Sequence, residues 1–221
     1  MLIKNLKTII FDMDGLLVNT ERIYGEGWLA GINQTGAKVP EGIVNQMTGQ
    51  SAGQNMQLLN HHLNDMELVK EIRKVRVQYF LEKLDAGEVA LMPYAKDLLE
   101  SLYESPYMSV LATSCETEYA TRILAHHDLN QFFEHKIYGD MVEHVKPAPD
   151  LYLRALHLSQ SKAEEAVILE DSLTGAKAGE NAGVNVLLIP DKERTDLSNL
   201  NNSKILNVHN HLGETFNYFF V

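Results

Sequence analysis

Short apolar runs alternate with longer segments of helical periodicity along much of the chain. The runs that predict strands cover residues 8–11, 107–112, 166–169 and 184–189, with shorter edge strands at 136–138 and 205–208. Helical segments are predicted at 116–127, 150–158 and 173–182. Strands that alternate with helices in this way favour an α/β fold, in which a parallel sheet is covered by helices on both faces.

One connection is far longer than a crossover between parallel strands requires. It joins Asp12, after the first predicted strand, to Thr113, after the second. Its first part has helical rather than alternating patterns, most clearly at 66–84. We therefore predict a core formed by residues 1–18 and 89–221, interrupted by an all-helical cap at 19–88.

Charge and cysteine content narrow the class of protein. The 221 residues carry a formal net charge of -11, which disfavours nucleic acid and anionic membranes as partners. The single cysteine, Cys115, excludes an intrachain disulfide and agrees with a reducing compartment. The first residues do not have the pattern of a signal peptide, and no apolar run is long enough to span a membrane. We expect a cytoplasmic protein, with a monomer as the default.

Polar side chains follow three of the predicted strands. They are Asp12 and Asp14, then Thr113 and Ser114, then Glu170 and Asp171. Ligands bind beyond the carboxyl ends of strands in an open parallel sheet, so these side chains should meet at one site. Carboxylates that meet without a nearby His or Cys indicate a hard cation, and Mg2+ is the expected cofactor.

This set of side chains suits phosphoryl transfer. Asp12 and Asp14 are two positions apart, so one can attack phosphorus while the other transfers protons. Thr113 and the Ser114 amide, expected at a helix start, are suited to phosphate oxygens, and Lys146 would add positive charge. Taken singly, each residue also has an ordinary interpretation as a turn, a helix cap, a helix-terminal acid or a loop lysine.

Four motifs occur in an order that resembles a known family. They are Asp12-Met13-Asp14-Gly15, Ala112-Thr113-Ser114, Lys146-Pro147 and Glu170-Asp171-Ser172. Together they resemble the haloacid dehalogenase-like phosphohydrolases, and the early helical insertion is similar to the β-phosphoglucomutase-like subfamily. The resemblance covers the whole chain and implies a Rossmann-like parallel sheet core with a helical cap.

The resemblance also implies a role for each matched residue. Asp12 would be the nucleophile and a metal ligand, and Asp14 the general acid/base with a backbone carbonyl on the metal. Thr113 and Lys146 would bind the phosphoryl group, and Lys146 would also steady Asp12. Asp171 would be the third protein ligand of Mg2+, with Glu170 beside it.

The cap departs from the pattern of the sugar-phosphate mutases. Tyr24 stands where they have a histidine, and Gly49-Gln50-Ser51-Ala52 lacks their arginine. The resemblance therefore favours a phosphatase for a small phosphorylated metabolite, with sugar phosphates preferred and Tyr24 and Gln50 as candidate substrate contacts. Other polar cap residues, among them Arg76, could line a pocket or simply be solvated.

Three other functions remain open from the sequence. A mutase would interconvert sugar phosphate isomers with the help of a bisphosphate. A dehalogenase is disfavoured because it has no use for Asp14. A phospho-acceptor signalling domain is disfavoured because such domains place the acidic pair before the acceptor aspartate and lack a helical cap.

Overall fold

The computed structural model describes residues 3, 5–48, 50–190, 197–198 and 201–220. Six strands form one parallel sheet, and the prediction of an α/β fold is confirmed. The strands are β1 Thr8–Phe11, β2 Met108–Ala112, β3 His135–Ile137, β4 Ala166–Glu170, β5 Asn185–Leu188 and β6 Ile205–Val208.

The strand order places β1 beside the strands that carry the other predicted site residues. The order across the sheet is β3-β2-β1-β4-β5-β6. Strands β2 and β3 therefore lie on one side of β1, and the later strands β4, β5 and β6 lie on its other side. Phe11 is in register with Leu111 on β2 and with Leu169 on β4. The residues that follow Phe11 thus lie at the switch point, where ligands of such sheets bind.

The sheet is buried on both faces, which explains why its strands are continuous apolar runs rather than alternating ones. All four residues of β1 and all five of β4 are buried. On one face, Ile10, Val110 and Ile168 pack with residues of two helices, Asp150–Leu158 and Leu173–Asn181. This face includes Tyr152, which is fully buried.

The chain divides into two compact units. The core unit comprises residues 1–18 and 91–221, and the cap unit comprises 19–90, whereas the sequence placed the second junction at 88/89. Within the core unit an antiparallel bridge joins Val18 to Leu91, and within the cap unit the Asn19 N–H donates to the Ala90 carbonyl oxygen over 2.8 Å.

Eight α-helices occur in the described part of the chain. Three belong to the cap unit: α1 Glu21–Thr35, α2 Ala52–Leu63 and α3 Met66–Asp85. The core unit has α4 Ala95–Tyr103, α5 Thr117–His126, α6 Asp150–Leu158, α7 Leu173–Asn181 and the short α8 Phe216–Phe219. The sequence patterns above did not predict α4 or α8. No helix among the described residues has the length and hydropathy of a membrane span.

The cap unit has its own apolar core. Trp28 and Ile32 of α1 pack with Val69 and Ile72 of α3 and with Leu59 of α2. Helices α1 and α3 pack closely, because a Cβ atom at Gly31 would lie 2.5 Å from the Ile72 carbonyl oxygen. The small residue therefore sets the distance between these helices.

Candidate active site

The ends of β1, β2 and β4 bring three predicted site residues to one edge of the sheet. The Asp12 N–H donates to the Leu169 carbonyl oxygen over 3.1 Å, and the Thr113 N–H donates to the Ile137 carbonyl oxygen over 3.0 Å. Glu170 is the last residue of β4. Sheet hydrogen bonding thus fixes the backbones from which Asp12 and Thr113 project.

The chain turns sharply after Asp14. Gly15 has φ +81°, in the left-handed region that favours glycine, and its N–H donates to the Val18 carbonyl oxygen over 2.8 Å. A Cβ atom at this position would lie 2.0 Å from Asp171 Oδ2. Glycine therefore serves both the turn and the approach of the Asp171 carboxylate to it.

Lys146 joins the first and fourth motifs. Its Nζ donates to Asp12 Oδ1 in a very short ion pair and to Glu170 Oε1 over 2.8 Å. Lys146 is 5% exposed and Glu170 1%, so these charges are removed from water and compensate one another. The prediction that Lys146 steadies Asp12 is consistent with this contact.

Glu170 is held by more partners than its predicted role as a metal ligand requires. Oε1 accepts from Lys146 and, over 3.2 Å, from the Tyr152 hydroxyl. Oε2 accepts from the Ser172 N–H over 2.8 Å and from its hydroxyl over 3.2 Å. The Glu170 carboxylate therefore helps to hold the Lys146 ammonium group in place, independently of any role as a metal ligand.

Tyr152 is the residue of this network that the sequence analysis missed. It lies on α6, and its ring centroid is 4.9 Å from Lys146 Nζ. The available signal was a tyrosine on the buried face of a helix shortly after Lys146, because a buried hydroxyl needs a hydrogen-bond partner. That signal gives no indication that the partner is Glu170.

Three carboxylates offer a metal site at this sheet edge. Ligand oxygens of Asp12, Glu170 and Asp171 all lie within 4.8 Å of one another. Among the residues that the structure describes, no histidine joins a potential metal group. The donor set consists of hard oxygen ligands, which fits Mg2+ rather than a softer metal.

Lys146 alone does not supply enough positive charge to keep the buried Asp12 carboxyl group ionised. The pKa of Asp12 is raised to about 8, mainly by burial, with Glu170 and Asp14 adding to the effect and Lys146 opposing it. Burial opposes the charge of Lys146 as well, but Asp12 and Glu170 outweigh it and raise the Lys146 pKa well above its ordinary value. A cation beside Asp12 would favour its ionised form.

Thr113 connects Asp14 to the loop after β2. Its hydroxyl donates to Asp14 Oδ2 over 3.3 Å and accepts from the Cys115 N–H over 3.0 Å. The expectation that Ser114 stands at a helix start is wrong, since α5 begins at Thr117, three residues later. The first N–H of that helix is bound by a residue distant in sequence, since Asp140 Oδ1 accepts from the Thr117 N–H over 3.0 Å.

The two candidate substrate residues of the cap have contacts within the cap unit. The Tyr24 ring is stacked by the guanidinium of Arg76, with 3.7 Å from Cζ to the ring centroid. Gln50 is exposed, and its Nε2 donates to the Gln46 carbonyl oxygen over 2.8 Å. Gly49 lies outside the described residues. Their roles as substrate contacts stay predictions.

Comparison with known proteins shows the family. The chain matches haloacid dehalogenase-like hydrolases over residues 9–189. It is 27% identical to a phosphorylated carbohydrates phosphatase of Thermotoga maritima, with 81% of this chain and 82% of that protein covered. It is 28% identical to (DL)-glycerol-3-phosphatase 2 of Arabidopsis thaliana, with 86% and 81% covered.

A solved structure shares the fold. CbbY from Rhodobacter sphaeroides, in complex with phosphate, superposes with a TM-score of 0.79 at 23% identity, covering 95% of this chain and 96% of that one. The sequence-based identification is confirmed. With its motifs at the switch point of a parallel sheet, this chain belongs to the haloacid dehalogenase-like hydrolase family.

Proposed function

We propose that this protein is a Mg2+-dependent phosphatase that hydrolyses a small phosphorylated metabolite through a phosphorylated Asp12. The observation that carries the proposal is the buried network in which Lys146 contacts both Asp12 and Glu170 beside the Asp171 carboxylate. A carboxylate, a lysine and an oxygen-ligand metal site are the parts that phosphoryl transfer requires.

The residues fit the metal that this proposal needs. Asp12 and Asp171 would hold Mg2+ through carboxylate oxygens, with Glu170 beside them. The family resemblance adds the Asp14 backbone carbonyl as a further ligand. When bound, Mg2+ would neutralise the charge shared by these carboxylates and the phosphate of the substrate. The raised pKa of Asp12 supports a cation here, because a cation would return Asp12 to the ionised form that attacks.

In the first step, an Asp12 carboxylate oxygen attacks phosphorus and the bond from phosphorus to the ester oxygen breaks. Asp14, in its protonated form, donates its proton to the departing oxygen, which leaves as an alcohol. Lys146 supplies a fixed positive charge at Asp12 while the phosphoryl group is transferred. The Thr113 hydroxyl, which donates to Asp14 in this structure, would hold that carboxylate or a phosphoryl oxygen.

In the second step, water attacks the phosphorus of phosphorylated Asp12. The Asp14 carboxylate accepts a proton from that water, and the bond between phosphorus and Asp12 breaks. Inorganic phosphate leaves, Asp12 returns as a carboxylate, and Asp14 is protonated again. The two residues therefore complete a cycle without a further proton donor.

A small phosphate ester is the substrate class that the relatives support. The Thermotoga and Arabidopsis proteins described above are named for phosphorylated carbohydrates and glycerol 3-phosphate. A sugar or polyol phosphate is therefore the first class to test. The net charge of -11 accords with a small ligand rather than a nucleic acid.

The test is phosphate release from p-nitrophenyl phosphate and a panel of sugar and polyol phosphates. We expect release with Mg2+, none above background with EDTA, and a loss of at least about a thousandfold in Asp12→Asn, because nucleophile removal abolishes covalent catalysis. Glu134→Asn, an exposed acidic residue elsewhere in the core unit, is the matched control. Metal-independent release, or full activity in Asp12→Asn, contradicts the mechanism. Isomerisation of a sugar phosphate without net phosphate release would assign a mutase instead.

A further inference from the structure

The loop between β2 and α5, residues 113–116, carries two of the predicted phosphate contacts, and we call it the phosphate loop. Within it, the Cys115 N–H donates to the Thr113 hydroxyl over 3.0 Å. In the described part of the chain the Ser114 N–H has no hydrogen-bond acceptor. A backbone N–H that is free in this way is available to a phosphoryl oxygen, provided that the loop is held in a fixed position.

The segment that follows β3, residues 138–141, makes hydrogen bonds to this loop and to the start of α5. The Gly139 N–H donates to the Cys115 carbonyl oxygen over 2.8 Å. Asp140 Oδ1 accepts from the Thr117 N–H over 3.0 Å and from the Thr117 hydroxyl over 2.7 Å. These bonds fix the end of the phosphate loop from a part of the chain that lies outside all four motifs.

Gly139 allows the backbones of the segment and the loop to approach closely. A Cβ atom at this position would lie 2.3 Å from the Ser114 carbonyl oxygen and 2.9 Å from the Ser114 carbonyl carbon. Both are backbone atoms, so no side-chain rotation could make room for a larger residue. The position of Ser114 therefore depends on the absence of a side chain at residue 139.

The same segment is attached to the rest of the core unit. Tyr138 is 5% exposed, and Arg154 of α6 donates through Nη1 to the Met141 carbonyl oxygen over 2.8 Å. The hydrogen bond from the Thr117 side chain is the main cause of a lowered pKa of Asp140. Asp140 thus stays ionised at neutral pH, and an ionised acceptor forms the stronger hydrogen bonds.

We propose that Gly139 and Asp140 are positioning residues of the phosphate site, which hold the phosphate loop so that the Ser114 N–H can bind a phosphoryl oxygen. They act through the loop and not on the substrate itself. The inference rests on the proposed function, because that function gives the loop its ligand. Asp140 is exposed, so its removal leaves no buried cavity and should affect the site more than the stability of the protein.

The state of the loop is measured first, without catalysis. Cys115 is the single cysteine of the chain, so its alkylation by iodoacetamide reports on the phosphate loop alone. We expect Asp140→Ala to raise the alkylation rate at least about threefold, because the loop opens more often when its hydrogen bonds are lost. Asp140→Asn keeps an oxygen acceptor and should stay close to the parent. Glu143→Ala, which removes an exposed carboxylate further along the same connection, is the matched control.

Phosphate affinity is measured next, by calorimetry with inorganic phosphate in the presence of Mg2+. Asp140→Ala should weaken binding at least about fivefold and lower kcat/KM for p-nitrophenyl phosphate by a similar factor, as expected for the loss of hydrogen bonds that align a donor. Gly139→Ala should do the same, because its Cβ atom displaces Ser114. Asp140→Asn should recover most of both losses, which a change in charge alone would not explain.

Unchanged phosphate affinity in both Asp140→Ala and Gly139→Ala would overturn the inference. Equal losses in Asp140→Ala and Asp140→Asn would overturn the role of Asp140, since the asparagine retains the acceptor. If Asp140→Ala fails to fold, Thr117→Val decides, because it removes the hydroxyl bond to Asp140 and keeps the N–H bond. Parent affinity and parent alkylation in that variant would contradict the inference.

The outcomes for the inference and for the proposed function can be told apart. A parent protein that hydrolyses no phosphate ester, but whose phosphate affinity and Cys115 alkylation still respond to Asp140→Ala, would overturn the proposed function and leave the positioning role in place. An active phosphatase whose loop and phosphate affinity ignore these substitutions would overturn the positioning role and leave the proposed function in place.

Discussion

Glu170 illustrates how one buried carboxylate can arrange several other side chains. It lies between Lys146 and Tyr152 on one oxygen and accepts two hydrogen bonds from Ser172 on the other. Ser172 in turn caps the N-terminus of α7, because its hydroxyl accepts from the Gly175 N–H over 3.0 Å. The helix start and the position of Lys146 are thus coupled through a single residue.

At this scale we expect Tyr152→Phe to lower kcat several-fold while KM stays within about twofold. The substitution removes one buried hydrogen bond to Glu170, worth about 1 kcal/mol, and keeps the ring that packs beside Lys146. Steady-state kinetics with p-nitrophenyl phosphate measure kcat and KM, and a thermal melt measures the loss of stability. Tyr218→Phe, which removes a surface hydroxyl bonded to Asn207, is the control. Unchanged kcat would show that Glu170 holds Lys146 without Tyr152.

At the scale of elements, the cap unit depends on how closely α1 and α3 approach. Gly31 has no room for a side chain, while a Cβ atom at Gly25 on the same helix would make an ordinary 3.6 Å contact with Val44 Cγ1. The two glycines therefore differ in what they do. Gly31 sets the distance between helices, and Gly25 only lowers the helical propensity of α1.

We expect Gly31→Ala to destabilise the protein by about 1–3 kcal/mol, the usual cost of forcing an extra group into a packed interface. Gly25→Ala should be neutral or stabilising by up to about 1 kcal/mol. Urea denaturation measures both, and hydrogen exchange should increase mainly within residues 19–90 for Gly31→Ala. Equal effects of the two substitutions would contradict a role for Gly31 in helix spacing.

The Glu214 side chain makes several hydrogen bonds within the segment that follows β6. Its carboxylate accepts from the Asn210 side chain over 2.7 Å, from the Asn210 N–H over 2.9 Å, and contacts His209 Nδ1 at 3.2 Å. The Asn210 hydrogen bonds are the main cause of a Glu214 pKa lowered to about 2. A group whose pKa falls on folding stabilises the protein above its unfolded pKa, and that contribution is lost as pH falls through its folded pKa.

The corresponding prediction is a pH-dependent effect of Glu214→Gln. The variant should be less stable than the parent at pH 7, and the difference should shrink as pH falls from the ordinary glutamate value of 4.5 toward about 2. Urea midpoints at several pH values measure it, with exposed Glu134→Gln as the control. A difference that grows on acidification would have the wrong sign.

At the scale of the whole molecule, the net charge of -11 opposes the approach of a phosphorylated substrate. Salt screens this repulsion, because the Debye length falls from about 30 Å at 0.01 M to about 10 Å at 0.1 M. We expect kcat/KM at fixed Mg2+ to rise with NaCl over this range, and to rise more for 2-phosphoglycolate than for 2-hydroxyethyl phosphate, which carries less charge. A fall with salt would mean that the local field of the site attracts substrate despite the net charge.

The sequence alone determined the fold class and the residues at the strand ends. Apolar runs predicted the strands, and their alternation with helical segments predicted the parallel sheet. The motifs followed those runs, so the meeting of Asp12, Thr113 and Glu170 could be inferred from the rule that parallel strands end at one edge. The family was identified from the same motifs, and the comparisons confirm it.

Only the tertiary structure decided the contacts made by side chains distant in sequence. Tyr152 reaches Glu170 from α6, a helix that packs against β2 and β3, and no local pattern specifies this contact. From the sequence, Arg76 could either line a pocket or be solvated. Its burial among Tyr24, Trp28 and Phe80 follows from the close packing of α1 on α3. Periodicity fixes which face of an element is apolar, but the partner of each buried polar group is set by how whole elements pack.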